Sequence, residues 1–268
     1  MLSTSAITNG LSRLRENLCE LEKVVVAFSG GADSAFLAWV ASDTLGVEKA
    51  KIVTAVSPSL ASDERSDASL LATEWGLDWM EIETQEMDSV AYQANDIHRC
   101  AHCKDALMDA LEPLATELAA SVVLGVNIDD LGDYRPGQEV AASRGARFPL
   151  VETQFTKMQV REASRHLGLR TWNKPAAACL ASRIPYGTKV EIAVLTAVER
   201  AEASLKRLGF DTLRVRHYES LARIEVPVDR LSEVVERRGE VVRAVSAAGY
   251  RWVTLDLEGF RSGNLNNL

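Results

Sequence analysis

A chain of 268 residues with a net charge of −8 has room for one large core or two ordinary ones, and its acidity weighs against a nucleic-acid partner, which needs a basic face. Hydrophobic content of 47% and charged content of 25% are globular averages and exclude the disordered and fibrous classes. No apolar run approaches a membrane span, and the opening MLSTSAITNGLSRLREN lacks the basic-then-apolar order of a secretion signal, so a cytoplasmic protein with no membrane partner is expected.

The N-terminal stretch reads as a helix in which Cys19 is a small core residue. Strand-like and helix-like segments then alternate. KVVVAFS is a buried strand, DSAFLAWVASDTLG a helix ended by Gly46, KAKIVTAVS a strand and SDERSDASLLATEWG a helix. DWMEIET is a third strand, CKDALMDALEPLATELAA a helix that Pro113 should bend or interrupt, and SVVLGVN a fourth strand. TKMQVREASRHLG closes this half as a helix, with Thr156 and Gln159 spaced for a capping box. Such alternation predicts an α/β fold: a Rossmann-like parallel sheet covered by helices on both faces, over residues 1–185. Beyond NKPAAACLASRIPYGTKV the pattern changes. One helix, two antiparallel strands (TLRVRHYE and LARIEVP), one helix over RLSEVVERRGEVVRAVSAAG and a last strand predict a smaller α+β domain, residues 186–268, for substrate binding or oligomerisation.

VVVAFSGGADSAFLAWV carries the chemistry of the first half. Two glycines directly after a strand let the backbone turn tightly and present N–H groups, and the following helix adds its positive dipole end; such a nest binds phosphate. The spacing is neither a Walker loop nor a dinucleotide fingerprint. Ser29, Gly30, Gly31, Asp33 and Ser34 instead resemble the PP-loop of ATP pyrophosphatases, which implies ATP, with Asp33 organising Mg²⁺. GVNIDDLGDYRPG follows the fourth strand and so belongs at the same carboxyl edge, where open α/β sheets bind ligands. Asp129, Asp130 and Asp133 are candidate Mg²⁺ ligands, Arg135 a phosphate clamp, and Ser57 and Asn127 further cofactor-binding positions.

HRCAHCK places Cys100 and Cys103 in a CxxC just before a helix, and a third cysteine, Cys179, lies in KPAAACLASRIPYG. Three thiolates suit a [4Fe–4S] cluster with one open iron; zinc would need His98 or His102 as well. Cys179 sits in an irregular loop with Ser182 and Arg183, whose charge favours a thiolate nucleophile. Arg214 and Arg216 share a strand face and, with Arg261, are candidates for an anionic substrate; Glu202 and Asp229 are weaker acid–base or structural candidates.

Taken together, SGGADS, GVNIDDLGDYRPG, KPAAACLASRIPYG and the terminal GFRSGNLN resemble the LarE family of ATP-dependent sulfur transferases over nearly the whole chain. The resemblance implies thiolation of the carboxylates of pyridinium-3,5-biscarboxylic acid mononucleotide on the route to the nickel-pincer nucleotide. Some members sacrifice one cysteine, matching Cys179. Others carry three cysteines and a cluster, the kind to which the CxxC assigns this sequence. It also implies a homo-oligomer, often a hexamer, and a sulfur donor or cluster-assembly protein as partner. The rivals are a tRNA-thiolating PP-loop enzyme, an amide-forming ligase such as the synthetases of NAD or GMP, and a non-catalytic ATP sensor.

Overall fold

Three consecutive β-branched residues, Val24 to Val26, form most of the first strand, β1 (Val24–Ala27), and are buried on both of its faces. The computed structural model describes residues 4–132, 136–175 and 178–261. Around β1 come α1 (Thr4–Leu21), α2 (Ala32–Leu45), β2 (Ala50–Val56), α3 (Ser62–Glu74), β3 (Trp79–Glu83), a short α4 (Val90–Gln93), α5 (Arg99–Leu118) and β4 (Ser121–Leu124). After them come α6 (Pro136–Ser143), a short α7 (Pro149–Glu152) and α8 (Lys157–His166). The four strands form an all-parallel sheet in the order β3-β2-β1-β4. Alternation assigns its faces: Val24 and Val26 pack with Leu14, Leu18, Phe36, Leu37 and Val160, whereas Val25 packs with Val53, Leu107, Met108 and Leu111. The expected Rossmann-like α/β sheet is therefore what the chain forms. Strand order reverses between β1 and β4, so the loops leaving these two strands flank the switch point where such folds bind ligands.

The chain divides into two compact units. The first comprises Met1–Ser57, Ser62–Glu86 and Cys100–Ala177, and the second Pro58–Ala61, Met87–Arg99 and everything from Ala178 onward. In the second unit, α9 (Ile192–Arg207) packs against β5 (Arg214–Tyr218), and β6 (Leu221–Glu225) lies between β5, antiparallel, and β7 (Trp252–Leu255), parallel. Its core joins Ala201, Leu205, Phe210, Val215, Ile224 and Val245.

Three local readings need correction. Cys19 is exposed, because the buried stripe of α1 runs through Leu11, Leu14 and Leu18 and leaves the next position on the outer face. Of the bend or interruption expected at Pro113, the interruption does not occur, since α5 continues through it to Leu118. The helix expected over residues 230–249 is two helices, α10 (Leu231–Glu236) and α11 (Arg238–Ser246), broken at Arg237, whose ψ of 19° leaves the helical region. Among the described residues no helix is long and apolar enough to cross a membrane.

Candidate active site

Gly30 has φ +71°, a conformation that costs other residues dearly, and a Cβ there would meet the Cβ of Ala68 at 3.3 Å. Gly31 then caps α2 without a side chain of its own, so no side chain occupies the helix end. Ser34 holds the loop shut from inside: its hydroxyl accepts from Ser29 N at 3.2 Å, meets Ser29 Oγ at 3.0 Å and donates to Gly31 O at 3.2 Å. The result is a short ring of backbone with N–H groups at the positive end of a helix, an anion nest.

Asp33 stands in the first turn of α2, and its Oδ1 is buried without a hydrogen-bond partner among the described residues. Burial first, and then the charge of Asp130, push its carboxyl above the ordinary aspartate range; Lys157, Asn127 and Arg161 oppose the shift without cancelling it. The approach of Asp130 follows from a turn after β4. Asn127, wholly buried, accepts from Asp129 N at 3.0 Å and Asp130 N at 3.3 Å through Oδ1, while Asp130 Oδ2 accepts from Asn127 N at 3.3 Å. Asp129 is used differently. Its Oδ2 accepts from Lys157 N at 2.8 Å and so caps α8, beside the capping box of Thr156 and Gln159. Ser57 follows β2 at the same carboxyl edge. Asp133 and Arg135 lie outside the described residues. Lys157 and Arg161 on α8, whose charges reach Asp33, are functional candidates that the sequence reading missed.

Gly125 explains how the two loops come so close. A Cβ at this position would fall 2.7 Å from Ser34 N and Ser34 Cα, so only glycine lets the exit of β4 pass against the start of α2. Gly125→Ala should force these segments apart at a cost of about 1–3 kcal/mol. ATP affinity, measured by isothermal titration, is expected to weaken by about 10-fold or more. An unchanged Kd would show that this close approach does not shape the nucleotide site. A cavity of about 400 Å³ among Met108, Glu112, Ser121 and Arg144 opens at the start of β4, the opposite edge of the sheet.

The second unit is organised around a short turn, Leu180–Arg183, with exposed Cys179 at its N-cap. The carbonyl of Cys179 accepts from Ser182 N at 3.0 Å, Ser182 Oγ at 2.7 Å and Arg183 Nη1 at 3.1 Å. Arg183 Nη1 also donates to Ala178 O at 2.6 Å, while Nε and Nη2 engage both oxygens of Glu202. Glu202 in turn accepts from Val215 N at 3.0 Å. The backbone is pinned and the sulfur faces out.

Arg216 departs from the expectation of a substrate-facing cation. It is 2% exposed, paired bidentately with fully buried Glu225 at 2.9 Å, and donates to Ser182 O at 2.8 Å. Period-two spacing identified its shared face with Arg214 but not that the face is buried. Arg214 is also buried, yet its hydrogen bond goes to a carbonyl, Arg261 O at 3.2 Å, and its guanidinium lies 4.7 Å from the Phe260 ring. Burial first, then the like charges of Arg216 and Arg183, lower its pKa against the opposing pull of Glu225 and Glu202. Three buried arginines thus face two glutamates, leaving a cationic excess. Exposed Arg261 pairs with Glu258.

Cys100 and Cys103 occupy the start of α5, exposed and half-buried respectively. Among the described residues, no group of three or more His, Cys, Asp or Glu side chains is placed to hold a metal ion.

Comparison with known proteins agrees with this geometry. The NAD synthase family model matches residues 6–110, which include the phosphate loop. The chain is 36% identical to pyridinium-3,5-bisthiocarboxylic acid mononucleotide synthase of Lactiplantibacillus plantarum, over 93% of this chain and 91% of that one. The chain belongs to the LarE family. It is a PP-loop enzyme of ATP-dependent sulfur transfer. Two uncharacterized proteins are also similar: one of Synechocystis sp., 46% identical over 96% of this chain and 97% of its own, and one of Methanocaldococcus jannaschii, 26% identical over 94% and 97%. The NAD synthase match covers the nucleotide loop and ends before Cys179.

Proposed function

We propose that this LarE-family enzyme adenylates the carboxylates of a pyridinium dicarboxylate mononucleotide and converts them to thiocarboxylates, with Cys179 delivering the sulfur. A carboxylate resists nucleophiles because it is negatively charged and its oxide is a very poor leaving group. Attack of its oxygen on the α-phosphorus of ATP breaks the bond from that phosphorus to the oxygen bridging it to the β-phosphate, releases pyrophosphate with that oxygen and leaves an acyl-adenylate. The thiolate of Cys179 then attacks the acyl carbon and expels AMP. Loss of the Cys179 Cα proton to solvent, with cleavage of its Cβ–Sγ bond, frees the thiocarboxylate and leaves dehydroalanine.

The Ser29–Ser34 nest would grip the departing phosphates. The orphaned Oδ1 of Asp33, with Asp130 beside it, fits a Mg²⁺ ion, which takes one or two carboxylates and completes its shell with phosphate oxygens. Bound there, Mg²⁺ would neutralise charge on the triphosphate. Lys157 and Arg161 would add positive charge to the same nest. Arg214, held in a cationic excess with no ion-paired carboxylate among the described residues, would take an anionic group of the substrate, while Arg183, Glu202, Ser182 and Arg216 hold the Cys179 backbone. Thiolates are apt ligands for a [4Fe–4S] cluster, but the described residues gather no three donors, so we derive no step through one.

The observation that carries the proposal is the outward-facing thiol of Cys179 on a backbone pinned by Ser182 and Arg183. Intact-mass spectrometry before and after one turnover, with iron analysis, tests it. The expected product is an iron-free chain lighter by one hydrogen sulfide, with one thiocarboxylate formed. An unmodified chain holding stoichiometric iron would move the sulfur source to a cluster on Cys100, Cys103 and Cys179. No AMP formation with the dicarboxylate would refute the function itself.

A further inference from the structure

The residues after Cys179 lack regular structure beyond one short turn, yet their carbonyls are gathered on one buried side chain. Asn95 is completely buried in the second unit, with φ +54°, a left-handed conformation that asparagine tolerates better than most residues. Its Nδ2 reaches Pro185 O and Thr188 O at 2.8 Å and Ile184 O at 3.4 Å. Its own carbonyl accepts from Gly187 N at 3.0 Å, and the carbonyl of nearby Gln93 accepts from Val190 N at 2.8 Å. Oδ1 accepts from Arg99 Nη1 at 2.5 Å, and the same nitrogen donates to Ala181 O at 2.9 Å. The Arg99 guanidinium also lies 5.4 Å from the Tyr186 ring.

We propose that Asn95 and Arg99 are positioning residues for sulfur transfer, which fix the chain following Cys179 and tie it to the first residue of α5. This inference rests on the reading of Cys179 as the sulfur-delivering thiol. Ser182 and Arg183 pin the carbonyl of Cys179 locally; Arg99 anchors the next turn through Ala181, and Asn95 anchors residues 184–188 beyond it. Arg99 also directly precedes Cys100 in the chain. The residue types suit the task. An asparagine amide supplies donors to carbonyls, an acceptor to arginine and a tolerance of positive φ. Aspartate would lack the donors, and glycine would keep the backbone but lose every side-chain bond.

The test compares full-length wild-type protein with Arg99→Met, Arg99→Lys and Asn95→Gly. It measures AMP formation from ATP and the dicarboxylate, thiocarboxylate yield in a single turnover, and the rate at which iodoacetamide alkylates Cys179. Misplacement of a reacting group by about 1 Å costs about 100-fold, so Arg99→Met and Asn95→Gly should slow sulfur transfer by about that factor while AMP formation stays within about 3-fold. The alkylation rate of Cys179 should change several-fold, and Arg99→Lys, which keeps a donor for Ala181 O, should recover part of the lost transfer. Unchanged transfer in Arg99→Met, or equal loss of both half-reactions without rescue by lysine, would overturn the proposal. Failure of the wild type to form thiocarboxylate would instead refute the functional reading, and Cys179 alkylation would still decide whether Asn95 and Arg99 position it.

Discussion

Cys179→Ala is expected to reduce thiocarboxylate formation to background while AMP and pyrophosphate continue to appear with the dicarboxylate. The expectation follows from the division of labour proposed above. Adenylation needs the phosphate loop, Asp33 and the substrate carboxylate, none of which contains the thiol. Sulfur transfer needs a nucleophile at the acyl carbon, and without it the acyl-adenylate can only go to water. Folding should be spared. Cys179 is exposed, so removing its sulfur opens no cavity, and the bonds that pin the turn are made by its carbonyl, which alanine keeps. The stability change should therefore stay within about 0.5 kcal/mol. Cys179→Ser sharpens the test, since a hydroxyl retains polarity but can give only an oxygen ester. Cys19→Ala, on the outer face of α1, is the control and should leave both half-reactions intact. Thiocarboxylate made by Cys179→Ala at the wild-type rate would end the proposal that this thiol delivers the sulfur.

The parts of this enzyme that could be read from sequence are those whose chemistry is local. A phosphate loop is a strand, two glycines and a helix start, all within about a dozen neighbouring residues, and SGGADS after VVVAF expresses it directly. The sheet was equally plain, because strands buried on both faces become continuous apolar runs. Residues whose role depends on distant packing were hidden. Lys157 and Arg161 look like ordinary charges on an amphipathic helix until β4 and its turn bring Asp130 and α8 up to Asp33. Spacing put Arg214 and Arg216 on one face, but whether that face meets water or a buried glutamate depends on Glu225 of the neighbouring strand. Asn95 and Arg99, which precede the CxxC but are not part of its spacing, would gain their proposed roles only when residues 181–188 fold over them. Gly125 carried a signal that a reader could have used, a glycine ending a buried strand, but its partner at Ser34 is visible only in three dimensions.

Asp33→Asn should severely slow nucleotide activation and, at the same time, stabilise the metal-free protein. The two effects share one cause. Burial and the nearby charge of Asp130 raise the carboxyl pKa of Asp33 above its unfolded value, so the folded state binds the proton more tightly than the unfolded chain does. Stability contributed by this group is therefore greatest at acid pH and declines as pH rises from the unfolded pKa through the raised folded one. Above that window the ionised carboxylate is a net liability to the apo fold. A neutral isostere removes the liability, and the melting temperature of metal-free Asp33→Asn at pH 7 should exceed that of wild type. The advantage should shrink as the pH is lowered through the carboxylate range. A Mg²⁺ ion bound with ATP would reverse the balance, since it would satisfy the buried Asp33 Oδ1, which has no hydrogen-bond partner among the described residues. Losing that ligand should slow AMP formation by about 100-fold or more. The same variant should also lose most of the thermal stabilisation that Mg²⁺ and ATP together give the wild type. Equal melting temperatures with full AMP formation would mean that Asp33 neither carries the strain of the site nor holds its metal. Higher stability with unimpaired AMP formation would leave the strain in place but assign the metal to other oxygens.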